Sequence, residues 1–369
     1  MEGKLMNDPK YHVAVRMNNI KHAYPGELSF ASNYGSTVKD MAIRDNCGGN
    51  TSASIVVRDK KSNMVVFHIL IDVGMGTINS LAQAPNFGYP KRIDLILITH
   101  AHIDHHSELV YACEIPKRLN KHNIGEFGQV PDYCRQPCPI PIYAVRKVAK
   151  RLDKLYSFTI ACPKLATKAA QRKKKIKRAK TGWIHLVESM KDTKGILRKL
   201  PVNQGPDDQH QFKITPVGGV GHDNCIMYVI EFSPKKGEYK KIVFAWDMQH
   251  LPWSENGAKD LLYNTDLMFV EMNTCRSRPS TKHISYPKVK KFVKQTFPNE
   301  CYVVHYSGFE DTFPRNSNTR TKEIMCLNQL NDWLKSDVLT AVRVKKNRPA
   351  VQAARSGKWY PLGENWDWY

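Results

Sequence analysis

A cluster of four histidines and an aspartate follows directly after an apolar, β-branched run at residues 93–98. The run predicts a buried strand that ends just before His100. His100 and His102 are two residues apart, so in an extended backbone both side chains point to one side and can share an ion. Asp104 and His105 follow where the chain turns and are placed to serve a second ion. Imidazole and carboxylate suit Zn²⁺ and also Mn²⁺. The alternative is a polar loop that happens to be rich in histidine.

Four further predicted strands end in a side chain that can bind a metal or support a ligand. These side chains are Asp72, His222, Asp247 and His305. Side chains that strand ends deliver to one edge of a sheet converge on one site. Asp72 taken alone is equally consistent with a turn cap, and a single such histidine is more often structural. Five endings in order around an HxHxDH motif indicate a shared metal centre.

Apolar spacing places these motifs in an alternation of strands and helices. Strands are predicted at about 11–20, 53–58, 64–72, 93–98, 142–145, 212–220, 227–232, 241–245, 267–270 and 301–304. Helices are predicted at about 107–119, 146–156, 287–297 and 320–333. Residues 114–140 and 163–211 fit this alternation loosely. We therefore expect a single domain over residues 1–369 that carries insertions in these two regions.

The composition limits the class of protein. With 369 residues and 41% hydrophobic content, the chain can bury a large core. Its first residues lack the apolar stretch of a secretory signal, and no apolar run approaches the roughly 20 residues of a membrane helix. Nine cysteines without a repeated spacing favour a reducing compartment. We expect a cytoplasmic protein without a membrane partner, and the sequence does not predict the oligomeric state.

The formal net charge of +22 favours a polyanionic partner, RNA or DNA above all. A solubility role is the alternative. Eight positive charges without an intervening acid form one basic run: Lys168, Arg172, Lys173, Lys174, Lys175, Lys177, Arg178 and Lys180. This run fits a solvated helix face, a localisation signal or a nucleic-acid arm. Since the rest of the chain is also basic, we expect it to contribute to a wider nucleic-acid-binding surface.

In type and order, these motifs resemble those of the metallo-β-lactamase fold superfamily over about residues 46–310. The resemblance implies an α/β fold, a four-layer αββα sandwich with basic insertions and a site at one edge. It also implies two metal ions, one held by His100, His102 and His222 and the other by Asp104, His105 and His305. By the same resemblance, Asp247 bridges the two ions, and Asp72 supports the ligand loop without touching a metal.

Two groups within the superfamily are most similar to this chain. They are the tRNA 3′-processing endonucleases (tRNase Z) and the phosphoribosyl cyclic phosphodiesterase-like hydrolases. Both groups carry a Glu, a later His-x-Ser and a closing His-aromatic-Ser motif, which correspond in this chain to Glu271, His283 and His305. The β-CASP nucleases carry a whole domain between the last two motifs, for which the segment between Asp247 and His305 leaves no space. Lactamase branches usually lack the bridging aspartate.

The resemblance implies phosphodiester hydrolysis by a metal-bridging hydroxide, because two ions activate a water and clamp the attacking and leaving oxygens. Asp104 is a candidate acceptor of the water's proton. His283, held by Glu271, is the candidate donor to the leaving alkoxide, and a buried histidine at a helix start is the alternative. A nuclease is the leading hypothesis. A hydrolase of a small cyclic phosphate or cyclic nucleotide, or a nucleic-acid-binding component of a larger assembly, are the alternatives.

Overall fold

The structure is a computed structural model, described for residues 10–20, 49–84, 92–122, 138–165, 181–187, 195–196, 205–207, 209–235, 238–252, 257–273, 282–305, 330–334 and 351–363. The strands are β1 (Tyr11–Asn19), β2 (Ser52–Asp59), β3 (Val65–Ile71), β4 (Leu95–Leu97), β5 (Ile140–Ala144), β6 (Ile160–Ala161), β7 (Gly182–Leu186), β8 (Gly195–Ile196), β9 (Phe212–Gly218), β10 (Met227–Lys235), β11 (Glu238–Ala245), β12 (Leu267–Glu271), β13 (Glu300–Val304), β14 (Val351–Ala353) and β15 (Trp359–Pro361). The α-helices are α1 (Thr77–Gln83), α2 (Leu109–His122), α3 (Arg146–Leu155), α4 (Ala258–Leu262) and α5 (Tyr286–Thr296), and residues 330–334 are also helical.

The described strands form two sheets. The first has the order β15-β1-β2-β3-β4-β5-β7-β6, and the second has the order β14-β13-β12-β11-β10-β9-β8. In the first sheet, β3, β4, β5 and β7 run parallel, and in the second sheet so do β11, β12, β13 and β14. Parallel strands are buried on both faces, which explains why these segments read as continuous apolar runs.

The two sheets pack face to face around one apolar core. The Phe67 ring in the first sheet stacks on Phe212 in the second, with ring centroids 5.7 Å apart. The buried Tyr228 hydroxyl of β10 donates to the Ile98 carbonyl at 3.0 Å, so a hydrogen bond also joins the sheets. Helices cover the outer faces: α1 packs on β1, α3 packs on β7, and α5 packs on β12 through Thr296. The predicted four-layer αββα sandwich is confirmed.

Asp72 and two of the ligand candidates lie where parallel strands end, at a common edge of both sheets. Asp72 follows β3 directly, His305 follows β13 directly, and Asp247 lies two residues after β11. All three have a left-handed backbone, with φ of 53°, 56° and 56°. For a residue with a Cβ this conformation costs about 1–3 kcal/mol, and such residues cluster at functional sites. The sharp turn after each strand therefore directs a polar side chain toward the gap between the sheets.

Regular structure occupies parts of both predicted insertions. Helix α2 continues through Pro116 to His122, beyond the predicted end at residue 119. Strand β7 lies in the first sheet between β5 and β6, so residues 182–186 belong to the sandwich. The basic run at residues 168–180 lies outside the described residues. No helix in the described part of the chain is long and apolar enough to cross a membrane.

Candidate metal centre

Asp72 is the buried anchor of the histidine loop. Its Oδ1 accepts the Thr99 backbone N–H at 2.8 Å, and its Oδ2 accepts the Thr99 hydroxyl at 2.7 Å. Oδ2 also lies 2.7 Å from Nδ1 of His105 and 2.7 Å from the indole nitrogen of Trp246. Because Nδ1 of His105 is held in this way, its Nε2 faces the centre of the site. Asp72 thus orients the loop, as a supporting residue would.

Asp247 lies at the middle of the cluster and directs its two oxygens at different histidines. Its Oδ1 lies 3.7 Å from Nε2 of His100. Its Oδ2 lies 2.8 Å from Nε2 of His105 and 3.2 Å from Nε2 of His305. All four side chains are buried. A carboxylate with its oxygens divided in this way has the geometry needed to bridge two ions.

Asp104 completes the second group of ligand candidates. Its Oδ2 lies 3.2 Å from Nε2 of His105 and 3.8 Å from Nε2 of His305. Burial raises the pKa of Asp104, but the charge of His105 opposes this and holds the pKa well below its usual range. In His305, burial lowers the pKa, but Asp247 and other carboxylates outweigh it and raise the pKa to about 10. The carboxylates at the centre of the site therefore stabilise positive charge beside them.

Glu271 at the end of β12 connects two histidines. Its Oε1 lies 2.5 Å from Nδ1 of His283 and 3.1 Å from Nδ1 of His305. Its Oε2 accepts the backbone N–H of Met248 at 2.6 Å, which fixes the carboxylate. The His283 side chain is 17% exposed, so this imidazole borders both the buried cluster and solvent. Burial lowers the pKa of His283, but Glu271 raises it by a larger amount.

Of the remaining two predicted ligands, His102 lies at the solvent side, with 32% of its side chain exposed. Nδ1 of His102 lies 3.0 Å from Nε2 of His100, so both can face one position. Nε2 of His102 lies 2.7 Å from Oδ2 of Asp223. His222 begins the 3₁₀ turn His222–Asn224, and the position of its side chain lies outside what the structure describes. The predicted role of His222 stays a prediction.

Two observations test whether these residues fit metal ions. Four carboxylates with 5% exposure or less meet here, and within the described residues none of them forms a salt bridge with Lys or Arg: Asp72, Asp104, Asp247 and Glu271. In addition, Nε2 of His105 and Oδ2 of Asp247 are buried and make no hydrogen bond of acceptable geometry, although they lie 2.8 Å apart. Two donors of one ion, each about 2.0–2.2 Å from it, lie about 3–4 Å apart. The donor set fits divalent cations.

Glycines allow the backbone to pass close behind the ligands. A Cβ on Gly74 would lie 1.8 Å from the carbonyl oxygen of Asp104, and a Cβ on Gly221 would lie 2.2 Å from that of Asp247. Any other residue at these positions would displace a ligand candidate.

Sequence reasoning missed three neighbours of the ligand candidates. Thr99 and Trp246 donate to Asp72, and Asp223 contacts His102. All three stand next to a predicted ligand in the sequence, which is the one signal that points to them. The choice of partner depends on how the two sheets meet, which the sequence does not show.

Comparison with known proteins agrees with this arrangement. A sequence model of the metallo-β-lactamase superfamily matches residues 48–117, which include the HxHxDH motif. No curated protein matches the chain significantly in sequence. A crystal structure of a diphosphatase from the PhnP family is similar, with a TM-score of 0.56, 12% identity, and 95% of this chain and 97% of that chain covered.

Two further solved structures are also similar to this chain. Zinc-bound PqqB from Methylobacterium extorquens has a TM-score of 0.55 at 10% identity, with 95% of this chain and 100% of that chain covered. Human tRNase Z, short form, has a TM-score of 0.46 at 17% identity and covers 79% of this chain and 92% of its own, which is too distant to support an argument. The sheet order, the match to the superfamily model and the two similar structures with TM-scores of 0.56 and 0.55 together show that the chain has the metallo-β-lactamase fold.

Proposed function

We propose that this protein is a metal-dependent hydrolase that cleaves phosphodiester bonds with two divalent cations, zinc or alternatively manganese. The observation that carries the proposal is the division of the Asp247 carboxylate between His100 on one side and His105 with His305 on the other. One ion would be held by His100, His102 and His222 and the other by Asp104, His105 and His305, with Asp247 between them.

When bound, two such cations neutralise charge on a phosphodiester and lower the pKa of a water molecule. The protein's own groups then have separate tasks. Asp104 is placed at the centre of the site to accept the water's proton. His283 stands at the solvent border, where its imidazolium can donate a proton to the departing oxygen, and Glu271 holds the donor ring in place. Asp72 keeps His105 oriented.

We further propose that the substrate is a nucleic acid, RNA or DNA. The formal net charge of +22 supports this, because a polyanionic backbone is attracted to a basic surface. The basic run from Lys168 to Lys180 is the proposed contact with phosphates. The second candidate is a hydrolase of a small cyclic phosphate or cyclic nucleotide, which the resemblance to the phosphoribosyl cyclic phosphodiesterase-like hydrolases implies.

The test combines metal analysis with hydrolysis assays. We expect two metal ions per chain, and cleavage of bis-p-nitrophenyl phosphate together with labelled RNA or DNA, offered in single- and double-stranded form. Asp247→Ala should abolish hydrolysis of every substrate and leave the circular dichroism spectrum unchanged. Full activity with one metal or none would contradict the dinuclear proposal. Cleavage of cyclic nucleotides without any cleavage of RNA or DNA would select the second candidate.

A further inference from the structure

A pocket of about 430 Å³ lies beside the turn that follows Asp72. Strand β1, the turn at residues 74–76, helix α1 and the loop before β15 form its walls. The described residues that line it include Arg16 and a set of neutral polar groups, among them Asn19, Asn79 and Ser356. No Asp or Glu is among the described lining residues. Its described lining therefore has one cation, Arg16, and no anion.

Arg16 is buried in this pocket, and none of its partners among the described residues is negatively charged. It is only 5% exposed. Its Nη1 donates to Oδ1 of Asn18 and to the hydroxyl of Ser80, both at 2.9 Å and both neutral. Its Nε is buried and makes no hydrogen bond, and no carboxylate of the described residues pairs with it. A buried charge without a counter-charge is costly.

A second buried donor lies in the same pocket. Asn19 is 5% exposed, and its Oδ1 accepts the backbone N–H of Gly49 at 3.1 Å. Its Nδ2 is buried and makes no hydrogen bond. Two glycines pack beside this donor: a Cβ on Gly76 would lie 2.9 Å from Cα of Gly49 and 3.6 Å from Nδ2 of Asn19. At the opposite wall a Cβ on Gly357 would lie 3.5 Å from Nη2 of Arg16.

Hydrogen bonds connect one wall of the pocket to the loop that carries the metal-ligand candidates. Oε1 of Glu108 accepts the backbone N–H of Gly76 at 2.8 Å, and Oε2 accepts that of Ile78 at 2.8 Å. The backbone N–H of Val73 donates to the His105 carbonyl at 2.8 Å. One wall of the pocket is thus the same turn that packs behind Asp104.

We propose that this pocket binds a phosphate group through Arg16 and Asn19. A guanidinium and an amide donor, both on β1, suit a tetrahedral oxyanion, and a bound phosphate would supply the missing negative charge. The volume leaves space for an organic group attached to the phosphate. The phosphate has two possible sources, a second phosphate of the hydrolysed substrate or free inorganic phosphate. The first source rests on the proposed function, and the second does not.

Equilibrium dialysis of radiolabelled orthophosphate against the zinc-loaded full chain tests the binding. Arg16→Met should lose one bound phosphate per chain or weaken its binding by about 10–100-fold, as expected for loss of a charged hydrogen-bond donor. Arg58→Met is the matched control, because Arg58 is also 5% exposed and does not line the pocket. Phosphate bound at the metals contributes equally to both variants. Equal binding by the wild type and Arg16→Met would overturn the proposal.

A second variant keeps Arg16 in place and guards against a folding defect. Asn79 is exposed at the rim, so Asn79→Asp should fold and introduce a carboxylate that repels phosphate. It should weaken binding about as much as Arg16→Met, and unchanged binding would overturn the proposal.

The source of the phosphate follows from kinetics with a dinucleotide that either carries a 5′-phosphate or lacks it. A KM that rises in Arg16→Met only for the phosphorylated form identifies the substrate as the source. Unchanged KM values with lost dialysis binding identify free phosphate. If the protein hydrolyses neither dinucleotide, the proposed function fails and the dialysis result still decides the pocket.

Discussion

Among single residues, Asp72 is not a predicted metal ligand, but it orients residues that are. Its Oδ2 faces three donors, which belong to Thr99, His105 and Trp246. In Asp72→Asn, an NH2 group replaces one of the two carboxylate oxygens. Since both oxygens accept hydrogen bonds, this NH2 group faces another donor in either orientation of the amide. We expect metal affinity to fall about 10–100-fold, since groups that orient ligands contribute that much. Competition with a chromophoric zinc chelator measures this.

Asp94→Asn provides the control for that prediction. Asp94 is buried in the same sheet and pairs with Arg92 at 2.6 Å, but it touches no ligand candidate. Its replacement should lower the thermal unfolding temperature without changing the zinc dissociation constant. If both variants weaken zinc binding equally, Asp72 acts only through general stability.

His283 gives a second prediction at this scale, through the difference between two leaving groups. If its imidazolium protonates the departing alkoxide, His283→Ala should slow cleavage of a nucleotide phosphodiester by about 10²–10⁴-fold. A p-nitrophenolate leaves as a stable anion, so cleavage of bis-p-nitrophenyl phosphate should suffer far less. The rates are compared at equal metal content, because a ligand defect would slow both substrates alike. Equal losses would assign His283 a structural role.

Among the elements, β3 contains a buried histidine whose ionisation opposes folding. His68 is fully buried between the Ser54 hydroxyl and the Arg92 carbonyl. Burial lowers its pKa to about 4, and the positive charges of Arg92 and Arg16 act in the same direction. The folded state therefore keeps His68 neutral at pH values where the unfolded chain binds a proton.

This shift predicts how stability depends on pH. The contribution of His68 is complete above the unfolded pKa of about 6.5, decreases as the pH falls toward 4, and is constant below that. The loss over this range is about 3 kcal/mol. Urea unfolding of the wild type and of His68→Gln, at the same zinc concentration and several pH values, measures the difference. Parallel pH profiles for the two proteins would show that His68 does not cause the loss.

The elements also show which parts of the fold the sequence predicts and which it does not. The apolar runs before Asp72 and His305 are long enough to predict buried strands, and the polar residue after each marks its end. Strands β14 and β15 have three residues each, too few for a periodic pattern, so the basic and aromatic C-terminal region gave no sign of them. Arg16 within β1 reads as a solvent-facing residue, because its burial depends on α1 and on the distant loop before β15. Whether such a residue is buried depends on which distant segments pack against it.

For the whole molecule, charge is the dominant property, and it predicts salt-dependent binding. Neutralising the eight positions of the basic run from Lys168 to Lys180 should weaken nucleic-acid binding. It should also reduce the slope of log affinity against log salt by roughly 0.7–0.9 for each phosphate that the variant no longer neutralises. Hydrolysis of bis-p-nitrophenyl phosphate by the same variant serves as the control and should be unchanged. An unaltered slope would place the phosphate-binding residues elsewhere on the basic surface.

The ligand candidates come from both halves of the sandwich: His100 and His105 follow a strand of the first sheet, whereas Asp247 and His305 follow strands of the second. A complete ligand set therefore exists only after the sheets have docked, and we expect this docking to come late in folding. A cation that binds at this stage stabilises the native protein without stabilising the transition state. We expect added zinc to leave the refolding rate nearly constant and to slow unfolding, so that metal supply governs the lifetime of the folded molecule.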